Sequence, residues 1–230
     1  MVYKKFVTFS FDDGVTQDRR LIQLLDRYRL KGTFNLNSAL LGLKGTATAG
    51  GRTVKHDKVY PNEIKDLYKN HEVAVHTLTH PNLRELDDET IIWQVEQDRR
   101  MLSMLAGKDV IGMAYPCGGE NYNDRVMGIL SKHTGIQYAR TIKSTYSFAI
   151  PLNVYEFHPV AHIMEKERVF DLGNQFLDIE EGLFCLWGHS YELDFGFDMN
   201  WESLEELFIL ISGKEDIFYG TNKEILEMIA

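Results

Sequence analysis

Short apolar runs rich in β-branched and aromatic residues alternate with longer amphipathic stretches along the chain, a rhythm that predicts βα units around a largely parallel sheet. The first run, Lys4 to Phe11, predicts a strand, and Leu21, Ile22, Leu24, Leu25 and Tyr28 recur at helical spacing over Gln17 to Tyr28. Further strands are predicted over Lys31 to Leu36, Glu72 to Val75, Val110 to Ala114, Ile136 to Ala139 (finishing at Arg140), Val154 to Phe157, Leu183 to Trp187 and Ile217 to Tyr219. The Leu183 to Trp187 run is continuously apolar, as a strand buried on both faces should be.

Between the strands lie a short helix after Pro61, a helix capped at Asp87 or Asp88 that runs to Leu105 before Gly107, and helices near Asp124 to Lys132 and Arg168 to Leu177. Asn200 caps a helix over Trp201 to Ile211, and Thr221 with Glu224 forms a capping box for the last one. Ser38 to Lys58 carries Gly42, Gly45, Gly50 and Gly51 among small residues and reads as a mobile loop at the mouth of a site. The whole, 1–230, is expected to be a single domain.

Three polar clusters fall just past predicted strand ends. Asp12-Asp13-Gly14 follows the first strand, His76-Thr77-Leu78-Thr79-His80 the third, and Gly188-His189-Ser190-Tyr191-Glu192 the long apolar run. In a parallel barrel such positions converge on one face. Two close carboxylates repel unless a cation or proton sits between them. His76 and His80, four apart, with one carboxylate of the pair complete an Asp-His-His set, and three N and O ligands with an open position is the pattern of a catalytic zinc site. The other aspartate is then left to take a proton. His189 is placed to act as an acid, and the backbone N–H of Cys117 in the tight Pro116-Cys117-Gly118-Gly119 loop to support an oxyanion. Cys117 as a nucleophile is disfavoured because no base is assigned to it.

Charge and composition narrow the partners. The net charge of −9 and the absence of a basic block argue against nucleic acid or an anionic membrane. Neither a signal-like leader nor a membrane-length apolar run is present, so a cytoplasmic location is expected if Met1 is the native start. Two cysteines, Cys117 and Cys185, make no disulfide framework.

Ser10-Phe11-Asp12-Asp13-Gly14, His76-Thr77-Leu78-Thr79-His80, Tyr115-Pro116-Cys117-Gly118 and Leu186-Trp187-Gly188-His189 resemble four motifs of the polysaccharide deacetylases, the NodB homology domain of carbohydrate esterase family four. The resemblance extends from about Lys4 to Tyr219 and implies a distorted (β/α) barrel of about seven parallel strands. It also implies a metal-dependent hydrolase that removes N-acetyl or O-acetyl groups from an amino sugar or oligosaccharide. By that resemblance Asp12 is the general base, Asp13, His76 and His80 hold a divalent metal, zinc above all, and His189 is the acid. Tyr115, Pro116 and Cys117 form a groove wall and oxyanion donor, Leu186 and Trp187 line the acetyl pocket, and an acetylated carbohydrate is the implied partner.

The family's third motif usually begins with an arginine that orients the base, and Ala114 stands there instead. Arg140, at a neighbouring strand end, is expected to supply that guanidinium. The family's fourth motif has no clear counterpart, although Glu156, Glu192 and Asp194 are available carboxylates. A second HxxxH, His158 to His162, is interrupted by Pro159, so His162 is taken as a site-lining residue rather than a ligand. Tyr122, Tyr191 and Trp201 join Tyr115 and Trp187 as candidate sugar-contacting aromatics. Two other readings stand beside this one, a hydrolase of another non-peptide C–N amide and a carbohydrate-binding module whose site has decayed.

Overall fold

The computed structural model describes residues 3–229, so Met1, on which the cytoplasmic expectation rests, lies outside the described residues. The chain runs β1 (Lys5–Asp12), α1 (Asp18–Arg27), β2 (Gly32–Leu36), β3 (Thr46–Ala49), β4 (Arg52–Lys55), α2 (Ile64–Leu67), β5 (Glu72–Val75), α3 (Asp88–Ala106) and β6 (Gly112–Ala114). It continues through α4 (Asp124–His133), β7 (Tyr138–Arg140), β8 (Ala161–His162), α5 (Lys166–Asp178), β9 (Gly182–Gly188), α6 (Trp201–Ile211), β10 (Ile217–Tyr219) and α7 (Asn222–Ile229).

All pairings in the main sheet are parallel, in the order β7-β6-β5-β2-β1-β9-β8. β10 joins the start of β1 on the edge that β2 occupies further along, with Lys5 opposite Ile217 and Phe9 opposite Gly32. The sheet curls into a distorted barrel. Phe157 pairs with the β7 edge, its N–H donating to Ala139 O at 3.0 Å, and Val160 N–H donates to Cys185 O on β9 at 2.7 Å. That crossing segment spans the two edges, and within Val154 to Phe157 only Phe157 pairs with the sheet. Val154 to Glu156 forms a 3₁₀ turn, so the strand expected over Val154 to Phe157 is not made.

Side-chain alternation explains how β1 serves both core and site. Val7, Phe9 and Phe11 pack outward into the large core beneath the helices. The alternate set, Thr8, Ser10 and Asp12, is buried yet polar and is met by polar partners: Asn222 accepts from Thr8 Oγ1 at 2.9 Å, and Asn35 Nδ2 donates to Ser10 Oγ at 3.0 Å. Buried polar atoms persist only when paired, which makes this network a specification of the barrel interior.

Helix ends follow the sequence signals closely. Asp87 Oδ1 accepts from Thr90 N at 2.7 Å, Gly107 takes a left-handed φ of 68°, and Asn200 accepts from Ser203 N at 3.0 Å. The stretch expected to be a mobile loop is instead largely a hairpin, β3 against β4 across Gly50-Gly51, whose positive φ values of 53° and 74° suit a two-residue turn. It is anchored on the turn after β9 and on the start of α1. Arg52 Nη1 donates to Phe195 O at 2.5 Å and Gly196 O at 2.9 Å, and Gln17 Nε2 donates to Lys55 O at 2.8 Å. Among the described residues no helix is long and apolar enough to cross a membrane.

Two substitutions separate core from cap. Phe9→Ala, in a fully buried ring packed against Phe208, is expected to cost about 3–5 kcal/mol, whereas Asp87→Ala should cost about 1 kcal/mol through the lost cap. Denaturant unfolding of both variants measures the difference.

Candidate active site

The C-terminal strand ends bring Asp12, Asp13, His76, His80, Tyr115, Cys117, Trp187 and His189 around one cavity of about 230 Å³, with Gly118, Ile142 and Tyr191 completing its wall. Backbone strain concentrates here. Of six described non-glycine residues with positive φ, four are Asp13 (83°), Thr77 (66°), His80 (64°) and Cys117 (69°). Such conformations cost of order 1–3 kcal/mol each and persist where surrounding contacts over-determine them.

The contacts that hold Asp13 are plain. Its N–H donates to Asn35 O at 2.9 Å, and its carbonyl accepts from Lys58 Nζ at 2.8 Å. The histidine loop is held from beneath by Asn37, whose Nδ2 donates to His76 O at 2.6 Å and Thr77 O at 2.9 Å. Gln94 ties Thr79 at backbone and side chain, and buried Asp98 accepts from Ser38 N at 2.7 Å and His76 N at 3.2 Å. Burial pushes the Asp98 carboxyl up to about 7 against those hydrogen bonds.

Asp12 is almost completely buried. Arg140 Nη2 and Asn35 Nδ2 (2.8 Å) both donate to its Oδ1, which leaves Oδ2 facing His76 Nε2 at 4.0 Å. Arg140 is fully buried; its Nε donates to Ser10 Oγ at 3.2 Å, its Nη1 to Thr141 O at 3.1 Å, and its guanidinium lies 4.9 Å from the Trp187 ring centroid. Burial works against an ionised Asp12, and Arg140, His76 and His189 together outweigh it, so the carboxyl lies below its ordinary value.

The Asp-His-His set has the chemistry of a metal site. Ligand atoms of Asp13, His76 and His80 all lie within 4.8 Å of one another. His76 Nδ1 is 2.9 Å from Ala114 O, an acceptor only, so Nδ1 carries the proton and Nε2 offers its lone pair. Burial lowers His76 to about 4, which keeps it neutral, and Asp13 is held well below the usual carboxylate range, its burial outweighed by His56 and Lys58. One neutral imidazole with a fixed tautomer, a second imidazole and a bare carboxylate fit zinc.

His189 sits across the cavity, with Nε2 4.0 Å from Asp13 Oδ2. Its N–H donates to Glu192 Oε2 at 3.0 Å, and its Nδ1 makes an ion-pair contact with the same oxygen at 3.2 Å, without hydrogen-bond alignment. Burial opposes the charge on the ring, and Glu192 overrides it, raising His189 to about 9. His162 shares Glu192 at 3.4 Å through Nε2. His162, His189 and Glu192 also form a compact cluster, but Met164 N–H donates to His162 Nδ1 at 3.3 Å, which puts the ring proton on Nε2 toward Glu192. In that cluster the two rings share the Glu192 carboxylate, with no lone pair of His162 directed at a metal.

Three expected lining residues lie elsewhere. Leu186 falls on the outward side of β9 with Phe184 and packs into the helix-side core, because alternation gives the cavity to Trp187. Pro116 is buried and does not line the cavity, its carbonyl accepting from Asn121 Nδ2 at 3.0 Å. His162 stands behind Trp187, ring centroids 4.5 Å apart. His158 pairs with Thr141 Oγ1 at 2.7 Å and joins no ligand group with His162 among the described residues.

Of the other aromatics, Tyr122 stacks on Tyr115 outside this cavity, and Trp201 is buried with its Nε1 donating to Asp194. Burial raises the Cys117 thiol above its ordinary value, which disfavours the thiolate a nucleophile needs.

Sequence reasoning missed His56 and Lys58, which the hairpin delivers to Asp13: His56 Nε2 is 3.0 Å from Oδ2 and Lys58 Nζ 3.3 Å from Oδ1. It also missed Asn35, Asn37 and Asp98. The available signals were Asn35 inside the buried strand β2, Asn37 just past its end, and Asp98 on the helix face of core residues Ile91, Val95 and Leu102.

A family model described as polysaccharide deacetylase matches residues 2–139, and no curated protein is similar enough to match. Among solved structures, a presumed polysaccharide deacetylase from Mycobacterium smegmatis superposes with a TM-score of 0.69 at 16% identity, covering 99% of this chain and 90% of that one. A family-four pseudoenzyme from Bacillus anthracis gives a TM-score of 0.57 at 20% identity, with 98% of this chain and 66% of that one covered. For a polysaccharide deacetylase from Bacillus cereus the TM-score is 0.53 at 20% identity over 66% of this chain, and the match spans 45% of that protein's length. These structural likenesses support the fold, and the family match covers more than half of the sequence. The chain belongs to the polysaccharide deacetylase family.

Proposed function

We propose that this protein is a metal-dependent deacetylase that hydrolyses an N-acetyl or O-acetyl group on an amino sugar or oligosaccharide. Asp13, His76 and His80 hold the divalent ion, zinc by the character of the donor set. The observation that carries the reading is the opposed charge setting of two groups on one cavity: Asp12 is kept ionised beside Arg140, while His189 is kept protonated beside Glu192. Two titratable groups pushed apart in this way are the arrangement of a base and an acid.

Asp13, His76 and His80 would hold the ion, which would bring the pKa of a water to about 7 and polarise an acyl carbonyl. The chain does the rest. Asp12 receives the water's proton on Oδ2, since Oδ1 is occupied by Arg140 and Asn35. His189 gives its proton to the departing amine or alkoxide, oriented by Glu192 on the far side of the ring. The Cys117 N–H supports the oxyanion, and Trp187 and Tyr191 shape the cavity that excludes water around the acyl group.

A decayed binding module is favoured by the pseudoenzyme among the structural neighbours and by the missing arginine before Tyr115. The buried Arg140–Asp12 contact weighs against it, because an equivalent charge arrives from β7.

Acetate release from acetylated amino-sugar oligomers, measured beside metal content, tests the proposal. Activity should vanish with a chelator and return with zinc, and Asp13→Asn should lose the metal. Zinc-loaded protein that releases no acetate from any acetylated glycan or amide would favour the binding module.

Two variants probe the base and the acid. Arg140→Met should cut turnover by about 10²-fold with metal content intact. It also leaves a buried carboxylate unpaired, at a cost of about 3–5 kcal/mol, so thermal melting must be followed beside the rate. For His189, a value raised to about 9 means the proton is held below that pH and lost above it, so kcat/KM should fall as pH rises through about 9. In Glu192→Gln burial is opposed only by Asp12 and Asp13, and the basic limb of the pH profile should move down by about one unit or more.

A further inference from the structure

The segment after the hairpin places a lysine and an imidazole on the carboxylate assigned to the metal, and they take different oxygens. His56 Nε2 meets Asp13 Oδ2 at 3.0 Å. Lys58 Nζ lies 3.3 Å from Oδ1, the oxygen that faces His80 Nε2 at 3.9 Å. Lys58 is held there from a second side, donating to the Asp13 carbonyl at 2.8 Å, and its side chain is only 7% exposed. An ion bound among Asp13, His76 and His80 therefore meets an ammonium on the same carboxylate oxygen.

The charges already balance without it. Asp12 is paired with Arg140, Asp13 with Lys58, and Glu192 with His189. A buried Asp13 without the ion is thus a compensated group rather than an orphan charge.

We infer that Lys58 is a built-in counter-cation of the metal-ligand carboxylate, which stabilises the metal-free protein and makes the site hold its divalent ion loosely. The inference rests on the proposed metal site. Two like charges on one oxygen in a water-poor setting repel strongly, whereas the lysine alone repays part of its burial through Asp13. Lys58 acts through Asp13 and is a positioning and affinity-setting residue, not a catalytic one. His56, on Oδ2, leaves the ligand oxygen to this competition.

Competition titration of zinc and cobalt(II) against a chromophoric chelator, on the full chain, reads the affinity directly. Lys58→Met should tighten the metal by about tenfold or more, and Lys58→Arg, which keeps the charge, should stay near the wild type. Thermal melting in excess chelator and in excess zinc is the second readout, interpretable even if metal-free Lys58→Met is poorly folded. The variant should melt below the wild type without metal and show a larger rise in Tm on adding zinc. Unchanged or weaker binding in Lys58→Met, equal tightening in Lys58→Arg, or a zinc-induced Tm rise no larger than in the wild type would overturn the inference. Wild-type protein that binds no divalent ion would instead overturn the proposed function itself.

Discussion

A fully buried arginine inside a barrel needs a reason, and here the reason is Asp12. The two sit on strands separated by three others in the sheet order, β7 and β1, and meet because the sheet curls. Neither charge is tolerable alone in that interior: removing one partner of a buried pair leaves the other at a cost of about 3–5 kcal/mol. The pair therefore ties the curvature of the sheet to the ionisation of Asp12. Ser10, Thr141 and the face of Trp187 complete the guanidinium's surroundings and Asn35 shares Asp12, so these partners of the pair lie on or just past the strands that build the cavity.

The rest of the cavity repeats this logic with other partners. Asp13 bends the chain out of β1 in a left-handed conformation and is held by Lys58 and Asn35; His189 is held by Glu192, which also engages His162. Each pairing lets burial and charge oppose one another, and the winner differs from site to site. At Asp12 the cations win and the carboxylate stays bare; at His189 the carboxylate wins and the ring stays protonated; at His76 burial wins and the ring stays neutral. One small cavity thus presents an ionised carboxylate, a neutral imidazole and a protonated imidazole side by side at neutral pH.

The barrel was legible where side-chain period and chain punctuation agree. The β1 and β9 runs, the Asn200 and Thr221 caps and the Gly107 stop all depend on neighbours within a few residues. The gathering of Asp12, Asp13, His76, His80 and His189 was legible because parallel topology sends strand ends to one face. What escaped depends on register and long-range pairing. Leu186 and Trp187 are adjacent in sequence, and which of them faces the cavity follows from the phase of the strand. Val154 to Phe157 has strand-like composition, yet its neighbours leave room for only one paired residue. The hairpin did carry a local signal, Gly50-Gly51 between Thr46-Ala47-Thr48-Ala49 and Arg52-Thr53-Val54-Lys55, outweighed by the small-residue character of the whole stretch. That His56 and Lys58 reach Asp13 has no counterpart in local sequence, because it follows from the long-range pairing of Asp57 to Val59 with Gly14 to Thr16, directly after Asp13.

The central claim is that Asp13, His76 and His80 hold a divalent ion beside Asp12 and His189. Anomalous diffraction at the zinc edge, from crystals equilibrated with excess zinc, tests it most directly. The account predicts one strong peak about 2.0–2.2 Å from an Asp13 carboxylate oxygen and from Nε2 of both His76 and His80, with Arg140 still on Asp12. A peak instead among His162, Glu192 and His189, or no peak in the cavity at all, would contradict it.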